Sequence, residues 1–318
     1  MTQLSIAPMI DWTNRHFRYF MRLLCPHALL YTEMITSGAM LNNTLRALKF
    51  SVQEHPLVIQ FGGSNPKELA NCTRLAKAWG YDQINLNVGC PSDRVQSGAF
   101  GACLMAKPNL VAECVDAMQQ ATSLPITVKT RLGIDDYDSY DFITDFVNTV
   151  SNTGCKSFII HARKAWLKGL SPKQNRTIPP LNYSFVYQLK QDFPHLSMTI
   201  NGGINSLEEV RIHLSYVDAV MVGRLAMNNP YQCAIIDSHL NNCQLPGRSE
   251  VLRKYLNYCN NQYKQGVSLS WLLKPLFALA NGQAGAKCWR QKLTSFQQDK
   301  ENDFYRLSEV YESAIPLN

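Results

Sequence analysis

None of the ten cysteines in this 318-residue chain forms a Cys-x-x-Cys pair. That removes the common spacing of a zinc site and of a redox dithiol. The thiols are scattered, Cys72, Cys114, Cys155, Cys233 and Cys259 among them. This suits buried thiols in a reducing cytoplasm and not a disulfide framework. No Gly-x-Gly-x-x-Gly and no Walker-type loop occurs, so a dedicated dinucleotide domain is not expected. No uninterrupted apolar run approaches the length of a membrane span. The start, Met1-Thr2-Gln3-Leu4-Ser5, has neither a basic nor an apolar leader segment, so no signal peptide is expected. Low-complexity tracts are missing too. Metal, membrane and secretory functions are thereby set aside.

What the chain does have is 46% hydrophobic residues, enough for a sizeable core, and a net charge of +7. The charge is unevenly placed. Between His161 and Arg176 stand Arg163, Lys164, Lys168, Lys173 and Arg176 with no acid among them. From Pro246 onward ten Lys/Arg face six Asp/Glu, so +4 of the +7 lies in the last quarter. Solvated lysines would explain either block alone; the two together point to an anionic partner.

Strand-like runs recur at Leu4–Met9, Leu29–Glu33, Leu57–Phe61, Gln83–Asn87, Ile126–Thr130, Ser157–His161, Ser197–Asn201 and Ala219–Val222. Helical patterns lie between them. Pro66–Trp79 opens on a first-turn proline, and Ser206–Leu214 on a capping box. Strands alternating with helices mean a parallel sheet. Eight of them in about 225 residues fit a closed (β/α)8 TIM barrel. The rival, an open doubly wound sheet, normally shows a glycine-rich loop after its first strand; here that strand runs into Ala7-Pro8-Met9-Ile10-Asp11. Strands stop after Tyr231. Leu245-Pro246-Gly247 reads as a linker, followed by helices at Ser249–Gln265, Ser268–Ala280, Gly285–Thr294 and Asp303–Ala314. The expected division is 1–244, a barrel, and 245–318, a small all-helical domain.

A barrel builds its active site at the C-terminal ends of its strands. Those ends here carry Pro8-Met9-Ile10-Asp11, Glu33, Gln60, Asn87 to Cys90, Lys129 and Arg131, His161, Asn201-Gly202-Gly203 and Gly223-Arg224. The fourth strand alternates, with Ile84, Leu86 and Val88 on one side and Asn85 and Asn87 on the other. It stops at Gly89-Cys90-Pro91, because Pro91 has no N–H for a ladder. The segment Ser92–Ala102 has no apolar run long enough for core and reads as a mobile loop. Cys90 is thus either a small buried hydrophobe or a catalytic thiol. The glycines after the seventh and eighth strands are either tight turns or a phosphate cradle. Lys129 suits a carbonyl or a flavin ring edge, where a fixed cation stabilises added negative charge. Gln60 matches the imide edge of a flavin or a pyrimidine. His161 is either core or a ligand contact. Glu33 is expected to pair with a basic neighbour and has no assigned role.

Ala7-Pro8-Met9, Asn85 to Gln96, Lys129-Thr130-Arg131, Ile160-His161-Ala162-Arg163, Asn201-Gly202-Gly203-Ile204 and Val222-Gly223-Arg224 together resemble the motifs of the tRNA-dihydrouridine synthases. Asn85 to Gln96, with His161 to Leu167, resembles the bacterial A-type branch, and the likeness spans barrel and tail. The resemblance implies a bound FMN contacted by Pro8, Met9, Ile10, Gln60, Lys129, His161, Asn201, Gly202, Gly203, Gly223 and Arg224, with NADPH as reductant. It implies reduction of the C5–C6 double bond of D-loop uridines at tRNA positions 20 and 20a. Hydride would go to C6 and a proton from Cys90 to C5, on the face opposite the flavin. The base must leave its stack to react, and Asn87 could hold its uracil edge. Lys173 and Arg176, and Lys287 and Arg290 one helical turn apart, are expected to touch the tRNA. A cytoplasmic monomer is expected. Three other readings compete: a flavin barrel reductase of a free pyrimidine, a tRNA-binding folding chaperone without turnover, and a flavin-free lyase with Lys129 as Schiff-base former.

Overall fold

Alternation along each strand decides which side chains meet. Residues of odd and even parity face opposite sides of a sheet. When the sheet closes, one parity fills the interior and the other packs under the helices. The structure, a computed structural model, describes residues 2–42, 48–298 and 304–315. Its strands β1 (Leu4–Ile6), β2 (Leu29–Thr36), β3 (Leu57–Gly62), β4 (Gln83–Val88), β5 (Ile126–Arg131), β6 (Ser157–His161), β7 (Ser197–Asn201) and β8 (Ala219–Val222) pair in parallel, in order, into a closed barrel. β1 is shorter than expected because Pro8 has no N–H to give the ladder. A small cluster of Ala7, Tyr31, Val58, Ile159 and Met221 packs separately from the main core.

The register stacks the polar residues in rungs. Gln60 sits beside Asn85, and Asn85 beside Thr127. Asn87 sits beside Lys129. Arg131, His161, Asn201 and Met221 form a third rung toward the C-terminal ends. Ile84, Leu86 and Val88, of the other parity in β4, are buried in the main core.

The helices that bear on the site are α1 (Arg15–Leu24), α2 (Ser37–Asn42), α3 (Pro66–Trp79), α4 (Asp93–Ser97), α5 (Pro108–Ala121), α6 (Tyr140–Ser151), α7 (Tyr183–Asp192), α8 (Leu207–Leu214), α9 (Arg224–Asn228) and α10 (Pro230–Asn241). Asn14 caps α1 through His16 and Phe17 N–H, and Ser206 closes a capping box with Glu209 on α8.

The tail contributes α11 (Arg248–Lys264), α12 (Leu269–Leu273), α13 (Ala286–Gln298) and α14 (Phe304–Ala314). The expected helix Ser268–Ala280 breaks after Leu273 into a 3-10 turn, Lys274–Ala278. Pro275 has no N–H for the carbonyl four residues back, so the α pattern stops there. The expected start of the last helix, Asp303, lies outside the described residues. Tail and barrel share one core: Tyr255 of α11 meets Phe20 of α1 edge-on at 5.1 Å, and Tyr258 stacks on Tyr19 at 4.0 Å. Among the described residues no helix is long and apolar enough to cross a membrane.

Candidate active site

The polar network begins deep in the barrel and ends at the Cys90 turn. Thr127 Oγ1 accepts from Asn85 Nδ2 at 2.9 Å, and Asn85 Oδ1 accepts from Gln60 Nε2 at 2.7 Å. Gln60 Oε1 then accepts from Asn87 Nδ2 at 2.9 Å. Asn87 Oδ1 in turn accepts the backbone N–H of Gly89 at 3.1 Å and of Cys90 at 3.0 Å. Buried polar side chains need such partners, and a complete chain of them fixes every rotamer along it. Asn87 is thus engaged at both ends. These bonds fix the Cys90 turn, and the second Nδ2 N–H of Asn87 has no part in them.

Cys90 is partly exposed, and its thiol lies 3.7 Å from Ser92 Oγ. The segment after it, expected as a loop without core residues, holds a short helix and buried side chains. Residues 93–97 form the short helix α4, and Val95, Phe100 and Ala102 are buried. Ala102 N–H donates back to the Cys90 carbonyl at 2.9 Å. Gly101 makes this return possible: it sits at φ +76, and a Cβ there would lie 2.6 Å from the Cys90 oxygen. Gln96 Nε2 ties the segment to the Pro91 and Leu167 carbonyls at 2.9 and 2.7 Å.

Across the mouth, Lys129 Nζ donates to Asn201 Oδ1 at 3.1 Å, and Asn201 Nδ2 donates to the Met221 carbonyl at 2.8 Å. Burial, with Arg131 nearby, lowers Lys129 to about 7. Burial pushes His161 well below its ordinary range, helped by Arg131, Lys129, Arg163 and Arg224. His161 is therefore a neutral imidazole ringed by cations. Among the described residues none of these cations forms an ion pair with a carboxylate. Uncompensated positive charge of this kind fits a bound anion.

Gly202 and Gly203 adopt φ +119 and +75, and a Cβ on Gly202 would lie 2.7 Å from His161 Cδ2. Tyr183 Oη donates to the Gly202 carbonyl at 2.8 Å and so fixes the turn. Pro8, Met9 and Ile10 follow β1, with Met9 N–H on Thr13 Oγ1 at 2.9 Å and Ile10 54% exposed. Gly223 lies beside Ala7 and Met9, and Arg224 reaches the Arg176 carbonyl at 3.3 Å.

The strand ends and their loops thus bring together Pro8 to Ile10, Gln60, Asn87, Cys90, Lys129, His161, Asn201 to Gly203, Gly223 and Arg224. Lys173 and Arg176 are exposed on the loop after β6. Lys287 and Arg290 are exposed on α13. Glu33 corrects an expectation: among the described residues it makes no ion pair. Burial raises its pKa, while Asp11 N–H bonds its carboxylate.

Two contributors carry no task in the sequence reading. Arg131 Nε bonds the Gly89 carbonyl at 2.8 Å, and its Nη1 bonds the Lys164 and Asn175 carbonyls, both at 3.0 Å. Its place at the end of a strand, two residues after Lys129, was its available signal. Tyr183 gave none, since an aromatic at a helix start reads as core. Among the described residues no group of His, Cys, Asp and Glu could hold a metal ion.

Comparison with known proteins supplies the rest. Residues 5–315 match the model of the family described as dihydrouridine synthase (Dus). The chain is 53% identical over 295 residues to a Vibrio cholerae protein named tRNA-dihydrouridine(20/20a) synthase, covering 92% of this chain and 90% of that one. It is 56% identical over 295 residues to a Synechocystis protein of the same name (92% and 88% covered). To the Escherichia coli K12 protein of that name it is 55% identical over 300 residues (92% and 86%). Among solved structures, morphinone reductase superposes with a TM-score of 0.50 at 11% identity, covering 77% of this chain and 87% of that one, a likeness of fold. The closed eight-stranded barrel, the Asn87–Cys90 turn and the match over residues 5–315 place this chain in the dihydrouridine synthase family.

Proposed function

We propose that this protein reduces the C5–C6 double bond of D-loop uridines in tRNA, at positions 20 and 20a, to give 5,6-dihydrouridine. The observation that carries the reading is the Cys90 turn. A partly exposed thiol is fixed by Asn87 at the rim of a barrel mouth that holds cations without carboxylate partners.

The mouth fits FMN on its own chemistry. The cations around His161 suit a phosphate, and the Gly202-Gly203 turn, at positive φ and packed tightly on His161, Leu181 and Tyr183, leaves its backbone uncovered by a side chain of its own. Gln60 keeps one N–H and one lone pair for an imide edge after its two internal bonds. Pro8, Met9, Ile10, Lys129, Asn201, Gly223 and Arg224 complete the contacts. When bound, FMN supplies the hydride that adds to C6 of the base, and NADPH is the source of reducing equivalents.

The protein's own part is to receive the base, hold it and finish the reaction. Addition at C6 puts negative charge on the C5–C4–O4 unit. Cys90 Sγ–H delivers the proton to C5, acting as general acid. Lys129, poised near neutrality, gains a proton readily when negative charge arrives beside it. Residues 245–318 serve as the RNA-binding unit, with Lys287 and Arg290 on α13 and Lys173 and Arg176 nearer the mouth meeting the phosphate backbone. The reading is of a monomer working in the cytoplasm.

The test is position-by-position mapping of dihydrouridine in unmodified tRNA incubated with enzyme and NADPH. Conversion at 20 and 20a supports the reading. Conversion of free uracil, with every tRNA position untouched, would replace it with a free-pyrimidine reductase.

A further inference from the structure

Beside the mouth lies a cleft of about 630 Å3, between the segments after β1 and β2 and the turn from α11 to α12. This is within the usual size range of ligand pockets. Its walls combine apolar Ile35 and Ala39, basic Arg15 and Lys49, the carboxylate of Glu33, and Trp271 on the tail side.

Trp271 is 48% exposed, while its helix α12 is anchored by the fully buried Leu272 and Leu273. The fold therefore does not need its indole buried. The other tail tryptophan behaves differently: Trp289 is fully buried and donates to the Leu276 carbonyl at 2.8 Å. Three residues beyond Trp271, Lys274 Nζ donates to the Asp11 carbonyl at 2.7 Å and lies 4.3 Å from the Trp12 ring centre. This clamps the tail wall to the loop that carries Met9 and Ile10, so the cleft adjoins the mouth.

The charges in the cleft are partly free. Arg18 is neutralised by Glu54 at 2.6 Å, but among the described residues the Arg15 guanidinium pairs with no carboxylate and bonds the neutral Gln262 amide and Tyr258 hydroxyl. Lys49 is exposed on the same wall. Glu33 stands where the pairing of β2 with β3 slips between Tyr31 and Met34, and such irregularities re-aim side chains. Its carboxylate takes Asp11 N–H and keeps further acceptor capacity.

We propose that this cleft is a subsite for one unpaired nucleotide of the RNA, flanking the base that enters the barrel. Trp271 stacks on its base, Glu33 accepts an N–H of the base edge, and Arg15 and Lys49 face its phosphates. The inference rests on the tRNA reading above. Its physical reason is that drawing one base out of the stack bares the faces of its neighbours. An aromatic platform beside a basic wall then replaces the lost stacking.

The test measures binding of tRNA transcripts to the FMN-loaded enzyme. Trp271→Ala should weaken binding about ten- to hundred-fold, the usual worth of one stacked base, and Trp271→Phe should restore most of it. Lys49→Ala should flatten the salt dependence by roughly one counterion, and Trp271→Ala should leave that slope unchanged. Transcripts carrying a single abasic site at each flanking position add a second readout. At one position the abasic and Trp271→Ala losses should not add, because both remove one stack. Additivity at every position, or wild-type affinity in Trp271→Ala, overturns the subsite. So does a Trp271→Ala enzyme that binds tRNA normally but is reduced more slowly by NADPH, which would make the cleft a dinucleotide site. If the wild-type enzyme itself binds no tRNA, the parent reading fails instead.

Discussion

Replacing Asn87 by alanine removes three hydrogen bonds at once: two accepted from Gly89 and Cys90 N–H, and one donated to Gln60. Each is worth about 1 kcal/mol net, and Gln60 Oε1 is left buried without that donor. Gly89 and Cys90 are half-buried, so water recovers part of their loss. The expected destabilisation is about 2–3 kcal/mol, or a fall in Tm of about 5 °C for a chain of this size. The effect on rate should be larger. With its turn released, Cys90 Sγ can shift, and a misplacement of about 1 Å can cost about a hundredfold in the chemical step. The assay is single-turnover formation of dihydrouridine from tRNA by pre-reduced enzyme, with flavin content and tRNA affinity measured alongside. Asn87→Ala should slow the step with both of those retained. In the Cys90→Ala background the same substitution should change the rate little, since Asn87 acts through Cys90. If the two losses instead add in full, Asn87 has a task of its own toward substrate. If Asn87→Ala reacts at the wild-type rate, the positioning argument fails.

Further outcomes follow from other groups. Gly202→Ala places a methyl 2.7 Å from His161 Cδ2 on a backbone at φ +119, a strain of about 1–3 kcal/mol, so the purified protein should carry much less FMN; full flavin absorbance would refute the cradle. Lys129 titrates near 7 in the ligand-free protein against an ordinary 10.5, so FMN binding at pH 8 should take up a proton. Calorimetry in buffers of different ionisation enthalpy reads that uptake, and a buffer-independent heat would count against it. His16 is lowered to about 4 by burial and by Arg15 and Arg18. The unfolded chain accepts a proton near 6.5 that the fold refuses, so stability should fall as pH drops from 6.5 toward 4, by at most roughly 3 kcal/mol. His16→Gln should flatten that part of a denaturation-versus-pH curve, and an unchanged curve would remove His16 from the account.

Much of this was legible in the sequence because the barrel converts parity into location. The alternation of Ile84, Leu86 and Val88 with Asn85 and Asn87 already separates core from interior, and the strand ends already collect Gln60, Lys129, His161 and Asn201. What alternation does not encode is contact across the fold. Nothing in Ser92–Ala102 says that Val95 and Phe100 are buried, because their partners are distant in sequence. Glu33 was expected to pair with a cation, but Arg18 and Lys274, the two whose charge bears on it, are bonded to Glu54 and to the Asp11 carbonyl. Pro275 was visible, yet the helical period around it outweighed it. Asn87 could be placed at the rim but not given its two backbone partners, since those depend on how the chain turns after β4.

The most direct measurement is single-turnover dihydrouridine formation by pre-reduced Cys90→Ala beside wild type, on the same unmodified tRNA. The account predicts that the variant binds FMN and tRNA as wild type does and forms dihydrouridine at a rate lower by about a hundredfold or more, the usual worth of a general acid. A variant that converts tRNA as fast as wild type would contradict it, and the proton at C5 would have to come from elsewhere.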